Sequence, residues 1–128
     1  MTYQLGNRSK RRLNKVHPDL VRVVGRAIEL TEIDFTVLEG LRTEERQKEL
    51  FGSGASRTLR SRHLTGHAVD LGAYVGGAVR WDWPLYYKIA DAVKKAAEEL
   101  QAPIEWGGDW TAFKDGPHFQ LPWKEYPA

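Results

Sequence analysis

The 128-residue chain contains no cysteine. A disulfide framework and a thiolate zinc finger are thereby excluded, and any bound metal has to be held by imidazole and carboxylate. Histidine is scarce as well: there are four, so the search for ligands is short. Nowhere is there an apolar run of membrane-spanning length, and the first residues, Met1-Thr2-Tyr3-Gln4-Leu5-Gly6-Asn7-Arg8, contain no signal-peptide core. The expectation is a product with no transmembrane segment and no signal peptide, held in the cytoplasm where it is made. A strong charge of either sign is also missing. The net charge is +2, which suits an anionic partner such as a bacterial envelope but is too small to demand nucleic acid. At 41% hydrophobic, the chain can build one core and is too short for two, so residues 1–128 read as a single domain, expected to be monomeric.

Along the chain, Arg8, Lys10, Arg11, Arg12 and Lys15 precede an apolar series, Leu20, Val23, Val24, Ala27, Ile28 and Leu30, at helical spacing, with Pro18 opening the helix proper. The basic cluster reads first as a solvated helix face and second as an attachment surface for lipopolysaccharide, phospholipid or nucleic acid. His17, next to Pro18, reads as a turn or capping residue. Residues 33–41 are β-branched and aromatic and read as a strand ending at Arg42, after which Thr43 caps a short helix through Phe51. Residues 52–60 form a glycine- and serine-rich loop suited to be one wall of a groove. A strand over 68–73, a hairpin about Gly76-Gly77 and a helix opened by Trp83-Pro84 follow, the helix burying Leu85, Ile89, Ala92, Val93, Ala96 and Leu100. Two short strands, around 104–106 and 117–121, complete the order, and the tail from Pro122 is uninformative. That order predicts an α+β fold: a small, mainly antiparallel sheet backed by helices.

Chemistry concentrates in Ser61-Arg62-His63-Leu64-Thr65-Gly66-His67-Ala68-Val69-Asp70 and in Asp115-Gly116-Pro117-His118-Phe119. A hydrolytic zinc ion needs three protein ligands and an open fourth position. His63, Asp70 and His118 fit: Gly66 can bend the chain between the first two, and His118 arrives from a distant element. The pair His63 and His67 at i, i+4 does not make a zincin helix, because Leu64 stands where the base would be and Gly66 interrupts. His67 is thus read as a supporting, groove or loop residue. Four acids compete as general base: Asp115, Asp109, Glu105 and Asp82. Asp115 is best placed, three residues before His118 with Gly116 allowing a turn. Asp109 is the runner-up, with a turn or a carboxylate orienting a ligand histidine as its other reading. Trp106 and Trp110 read equally as groove platforms and as core.

Ser-x-His-x-x-Gly-x-Ala-x-Asp followed by Asp-x-x-His resembles the zinc signature of the D-alanyl-D-alanine carboxypeptidase/VanY-type metallopeptidases (M15), most closely the small phage L-alanoyl-D-glutamate endolysins. Gly40-Leu41-Arg42-Thr43 and Glu105-Trp106-Gly107-Gly108-Asp109-Trp110 extend the likeness, so that it spans roughly residues 35 to 121. The resemblance implies a hedgehog/DD-peptidase-like fold, a Zn2+ cofactor on His63, Asp70 and His118, Asp115 as catalytic acid/base, and Arg42 lining the active site. Arg42 has a competing reading as a surface pair with Glu39 or Glu45. The implied function is zinc-dependent cleavage of the L-alanoyl-D-glutamate bond of the peptidoglycan stem peptide by a phage endolysin, released from the host cytoplasm to reach the wall. A D-alanyl-D-alanine carboxypeptidase or dipeptidase is the nearest alternative, and a non-catalytic zinc-containing wall-binding module is the alternative from another class.

Overall fold

A computed structural model describes residues 2–127. Its elements run in the expected order: α1 (Asn7–Arg12), α2 (Pro18–Leu30), β1 (Phe35–Glu39), α3 (Glu44–Gly52), β2 (Ala68–Val75), β3 (Ala78–Arg80), α4 (Trp83–Leu100), β4 (Glu105–Trp106) and β5 (His118–Gln120). All strand pairings are antiparallel, in the order β1-β2-β5-β4, with β3 pairing the far half of β2. The predicted α+β class, with its antiparallel sheet and helical backing, is what the chain adopts.

Local chemistry explains the boundaries. Pro18 sits at the first turn of α2 and His17 caps it, Nδ1 accepting from the Asp19 N–H at 3.1 Å. Thr43 caps α3 through the Arg46 N–H, also at 3.1 Å. The β2–β3 hairpin turns at Gly76 and Gly77, both with positive φ. α2 and α4 pack together, and Leu20, Val23, Val24, Ile89 and Val93 join Phe35, Leu71 and Phe119 in one continuous core.

Two expectations need correction. Leu100 was expected in the buried stripe of α4 but is 38% exposed, because Gln101 turns left-handed and ends the helix there. Tyr86, at the other end of the helix, is buried although it was not in the expected stripe. The basic cluster is also not wholly a solvated face. Ser9 Oγ accepts from the Val37 N–H at 2.9 Å while Arg12 Nη1 donates to the Val37 carbonyl at 2.9 Å, so α1 satisfies the outer edge of β1.

Candidate active site

The sheet register builds the site. Asp70 on β2 lies directly opposite His118 on β5 and also opposite Glu39 on β1, across a bulge at Leu38. The side chains of cross-strand partners share a face, so the antiparallel pairing brings residues 48 apart in the chain together. His63 reaches them from a 3₁₀ turn, Arg62–Thr65, that Gly66 closes with φ 75°. Any side chain at Gly66 would run into the Lys15 carbonyl, its Cβ 2.5 Å from the oxygen. Ser61 Oγ accepts from the His63 N–H at 3.2 Å and so supports the turn locally.

The result is a convergence of three ligand-type atoms. One donor atom from each of His63, Asp70 and His118 lies within 4.8 Å of the others. His63 Nε2 is 3.2 Å and His118 Nδ1 3.3 Å from Asp70 Oδ1. The outer nitrogens fix what the inner ones offer. His63 Nδ1 is 2.8 Å from the Gly40 carbonyl, which can only accept, so Nδ1 carries the hydrogen. His118 Nε2 is 2.8 Å from Gln120 Oε1 and is held in the same way. In neutral imidazoles the inner nitrogens are then bare lone pairs, both directed at a carboxylate oxygen. Three acceptors at such distances repel one another unless a cation, or protons on the rings, stands among them. Outer-nitrogen hydrogen bonds of this kind are how ligating histidines are oriented around metals. Burial pushes the Asp70 carboxyl up, but hydrogen bonds and charge from His118 and His63 more than reverse this and hold it well below the usual carboxylate range.

Asp115 lines the same cleft, an open space of about 920 Å³ whose floor includes His63, Asp70 and His118. Its backbone carbonyl accepts from the His118 N–H at 3.2 Å, and its own N–H donates to the Gly107 carbonyl at 3.0 Å. Burial and the nearby Asp70 charge push the Asp115 carboxyl up, against the pull of His118, His63 and Arg42. Proton affinity above that of an ordinary aspartate suits a group that takes and returns a proton.

Arg42 has the expected partner, Glu39, but not on the surface. Its guanidinium pairs with Glu39, yet the side chain is only 8% exposed, lines the cleft and lies 3.6 Å from Asp70 Oδ2. Nη1 donates to Gln47 Oε1 at 2.7 Å, while Gln47 Nε2 donates to Ser56 Oγ and the Thr58 carbonyl. Gln47 is fully buried and so ties the 53–61 loop to the arginine beside Asp70; a cleft wall was expected from residues 52–60, of which Gly52 instead ends α3.

The remaining candidates separate. His67 is outside the cluster; its Nδ1 meets Thr65 Oγ1 at 2.6 Å and its ring faces His17. Asp109 pairs with Lys94 at 2.8 Å on the surface, so it neither orients a ligand histidine nor faces the cleft. Asp82 pairs with Arg80, and Glu105 accepts from Trp110 Nε1 at 2.9 Å on the cleft wall. Trp106 is core, donating to the Gly116 carbonyl at 2.7 Å, whereas Trp110 lines the cleft with its ring 5.2 Å from His118. The tail was missed. Arg62, buried in the middle of the motif, donates to the Leu121 and Tyr126 carbonyls, and Trp123 lies over its guanidinium at 4.2 Å.

Comparison with known proteins places this arrangement. A family model described as phage L-alanyl-D-glutamate peptidase matches residues 1–121. The L-alanyl-D-glutamate peptidase of Escherichia phage T5 is 33% identical over 119 residues, covering 90% of this chain and 87% of that protein. The L-alanyl-D-glutamate peptidase of Listeria phage A118 is 34% identical over 129 residues, covering 98% of this chain, which spans 45% of that longer protein. The crystal structure of Serratia marcescens L-Ala D-Glu endopeptidase ChiX superposes with a TM-score of 0.91 at 53% identity, covering 95% of this chain and 92% of that one. The chain belongs to the phage L-alanyl-D-glutamate peptidase family.

Proposed function

We propose that the protein is a zinc-dependent peptidoglycan endopeptidase that cleaves the L-alanyl-D-glutamate bond of the stem peptide and acts as a phage endolysin. The observation that carries this reading is the convergence of His63 Nε2, Asp70 Oδ1 and His118 Nδ1 on a cleft floor that Asp115 also faces. Two imidazoles and a carboxylate, with both outer ring nitrogens already hydrogen-bonded, are a donor set suited to Zn2+. These three residues would hold the ion. When bound, zinc supplies Lewis-acid chemistry and makes water acidic enough to react at neutral pH.

The chain's own residues do the rest. Asp115 takes the proton of the attacking water and hands it to the leaving amine, in line with its raised proton affinity. Arg42 uses three of its five N–H donors on Glu39 and Gln47, which leaves two, and its positive charge, for the oxygen that becomes anionic. Gln47 and Glu39 keep that guanidinium from swinging away. Trp110 and the 53–61 loop flank the peptide and narrow its access to water.

Among the described residues no helix is long and apolar enough to cross a membrane. The proposed course is accumulation in the host cytoplasm and action on the wall after release, as a monomer. Mass spectrometry of digested peptidoglycan tests the bond: the reading requires fragments ending in a free L-alanine carboxyl and fragments beginning with a free D-glutamate amine. Release of terminal D-alanine alone would assign the chemistry to a carboxypeptidase.

A further inference from the structure

Five arginines line the cleft: Arg42, Arg46, Arg57, Arg60 and Arg62. Three have partners within the protein. Arg42 pairs with Glu39, Arg46 with Glu49, and Arg62 with backbone carbonyls of the C-terminal segment. Arg57 and Arg60 differ from these. Among the described residues neither guanidinium has a carboxylate partner or donates a hydrogen bond, although both stand on the cleft wall. Each is instead held by a ring: the Arg57 guanidinium lies 4.6 Å from the centre of Phe113, and that of Arg60 5.6 Å from the centre of Trp123.

Stacking on an aromatic face uses the plane of a guanidinium and leaves its in-plane N–H fork unused. That fork is the geometry that matches a carboxylate with two parallel hydrogen bonds. The Phe113 ring is itself placed at some cost. Phe113 has φ 48°, a left-handed backbone that a bulky side chain adopts only under constraint, and it keeps its ring 41% exposed in the cleft. The 53–61 loop and the 110–116 segment thus meet across the opening through Arg57 and Phe113. The two free cations lie on the wall of a cleft whose floor carries the candidate catalytic groups.

We infer that Arg57 and Arg60 form a carboxylate-recognition subsite that takes a free carboxylate of the acidic stem peptide. This deepens the peptidoglycan reading and rests on it. A glutamate within a peptide uses one carboxyl in the chain and keeps the other free, and the peptide's own terminus supplies a second candidate anion. Both share the chemistry that the two forks select.

The test uses synthetic stem peptides containing the L-alanyl-D-glutamate bond in three forms: unmodified, amidated at the free glutamate carboxyl, and amidated at the terminus. Hydrolysis is compared for the parent protein, Arg57→Gln, Arg60→Gln and the double variant. Equilibrium binding of the same peptides is measured in an Asp115→Asn background. The parent should prefer the unmodified peptide over one amidated form by about tenfold or more in kcat/KM and in Kd, and the form that loses the preference identifies the carboxylate. In the double variant the ratio should fall towards one. Both arginines are exposed, so circular dichroism and melting temperature should match the parent. A parent that does not discriminate, or a preference that survives in the double variant, overturns the subsite. Failure of every peptide to be cleaved would contradict the peptidase reading instead, and the binding ratio would still decide the subsite.

Discussion

Arg42 and Gln47 meet head to head, Nη1 of the guanidinium donating to Oε1 of a fully buried amide at 2.7 Å. The other end of the same amide holds the cleft-wall loop at Ser56 and Thr58. Replacing Gln47 with leucine keeps the volume but strips the partners from a nearly buried arginine and from the Thr58 carbonyl. The expected cost is about 2–3 kcal/mol in urea unfolding. A fall in kcat/KM larger than that in kcat would show the loop wall loosening along with the fold.

Asp115→Asn removes the proton acceptor but keeps shape and backbone contacts. Loss of general acid/base help costs roughly 10²–10⁴-fold, so peptidoglycan turnover should drop by that range while zinc affinity, measured by competition with a chromogenic chelator, stays within a few-fold. Parent-like turnover would remove Asp115 from the mechanism.

Gly107 leaves no room for a side chain beside the site. A Cβ there would lie 2.4 Å from the Asp115 carbonyl oxygen, 3.0 Å from the Asp115 Cβ and 3.1 Å from the His118 Cβ. Gly107→Ala therefore has to move both residues at once. Overpacking of this kind typically costs about 1–3 kcal/mol, and activity should fall at least tenfold even where the melting temperature shows the variant folded.

Most of the fold could be read from local pattern. α4, the Gly76-Gly77 hairpin, the Thr43 cap and the Pro18 helix start all follow from rules that act within a few residues. The candidate site residues could be picked out because Gly66, Asp70, Gly116 and His118 sit in a spaced motif. Contacts that depend on distant chain segments were not legible. Nothing in the spacing says that Arg12 closes the edge of β1, that Gln47 couples a loop to Arg42, or that Arg62 anchors the C-terminal segment. Only one faint signal existed for the last: a charged residue inside a motif whose neighbours are bound for the interior needs buried acceptors, and carbonyls near a chain end can supply them. The two tryptophans show the same limit, since Trp106 and Trp110 have similar neighbours in sequence and opposite surroundings in space.

That C-terminal segment also sets a pH dependence. Tyr126 Oη donates to Asp19 Oδ2 at 2.7 Å and, with Arg22, holds the Asp19 carboxyl below its ordinary value. A carboxyl depressed in the folded state adds stability above its unfolded pKa and loses that contribution as pH falls through the folded value. Tyr126→Phe should thus cost about 1 kcal/mol near neutral pH. The difference from the parent should shrink once pH drops below about 4. Unfolding titrations of both proteins at pH 7 and pH 3 check this; an equal difference at both would mean that the hydrogen bond contributes nothing through ionised Asp19.

The most direct measurement is zinc titration of metal-stripped protein, parent and His118→Ala, following peptidoglycan solubilisation and melting temperature together. The account predicts no solubilisation without metal. Activity and a rise in melting temperature should then saturate together at one zinc per parent chain, with both responses lost or shifted to far higher zinc in His118→Ala. Full activity in the stripped protein, or zinc-dependent activity undiminished by loss of His118, would contradict it.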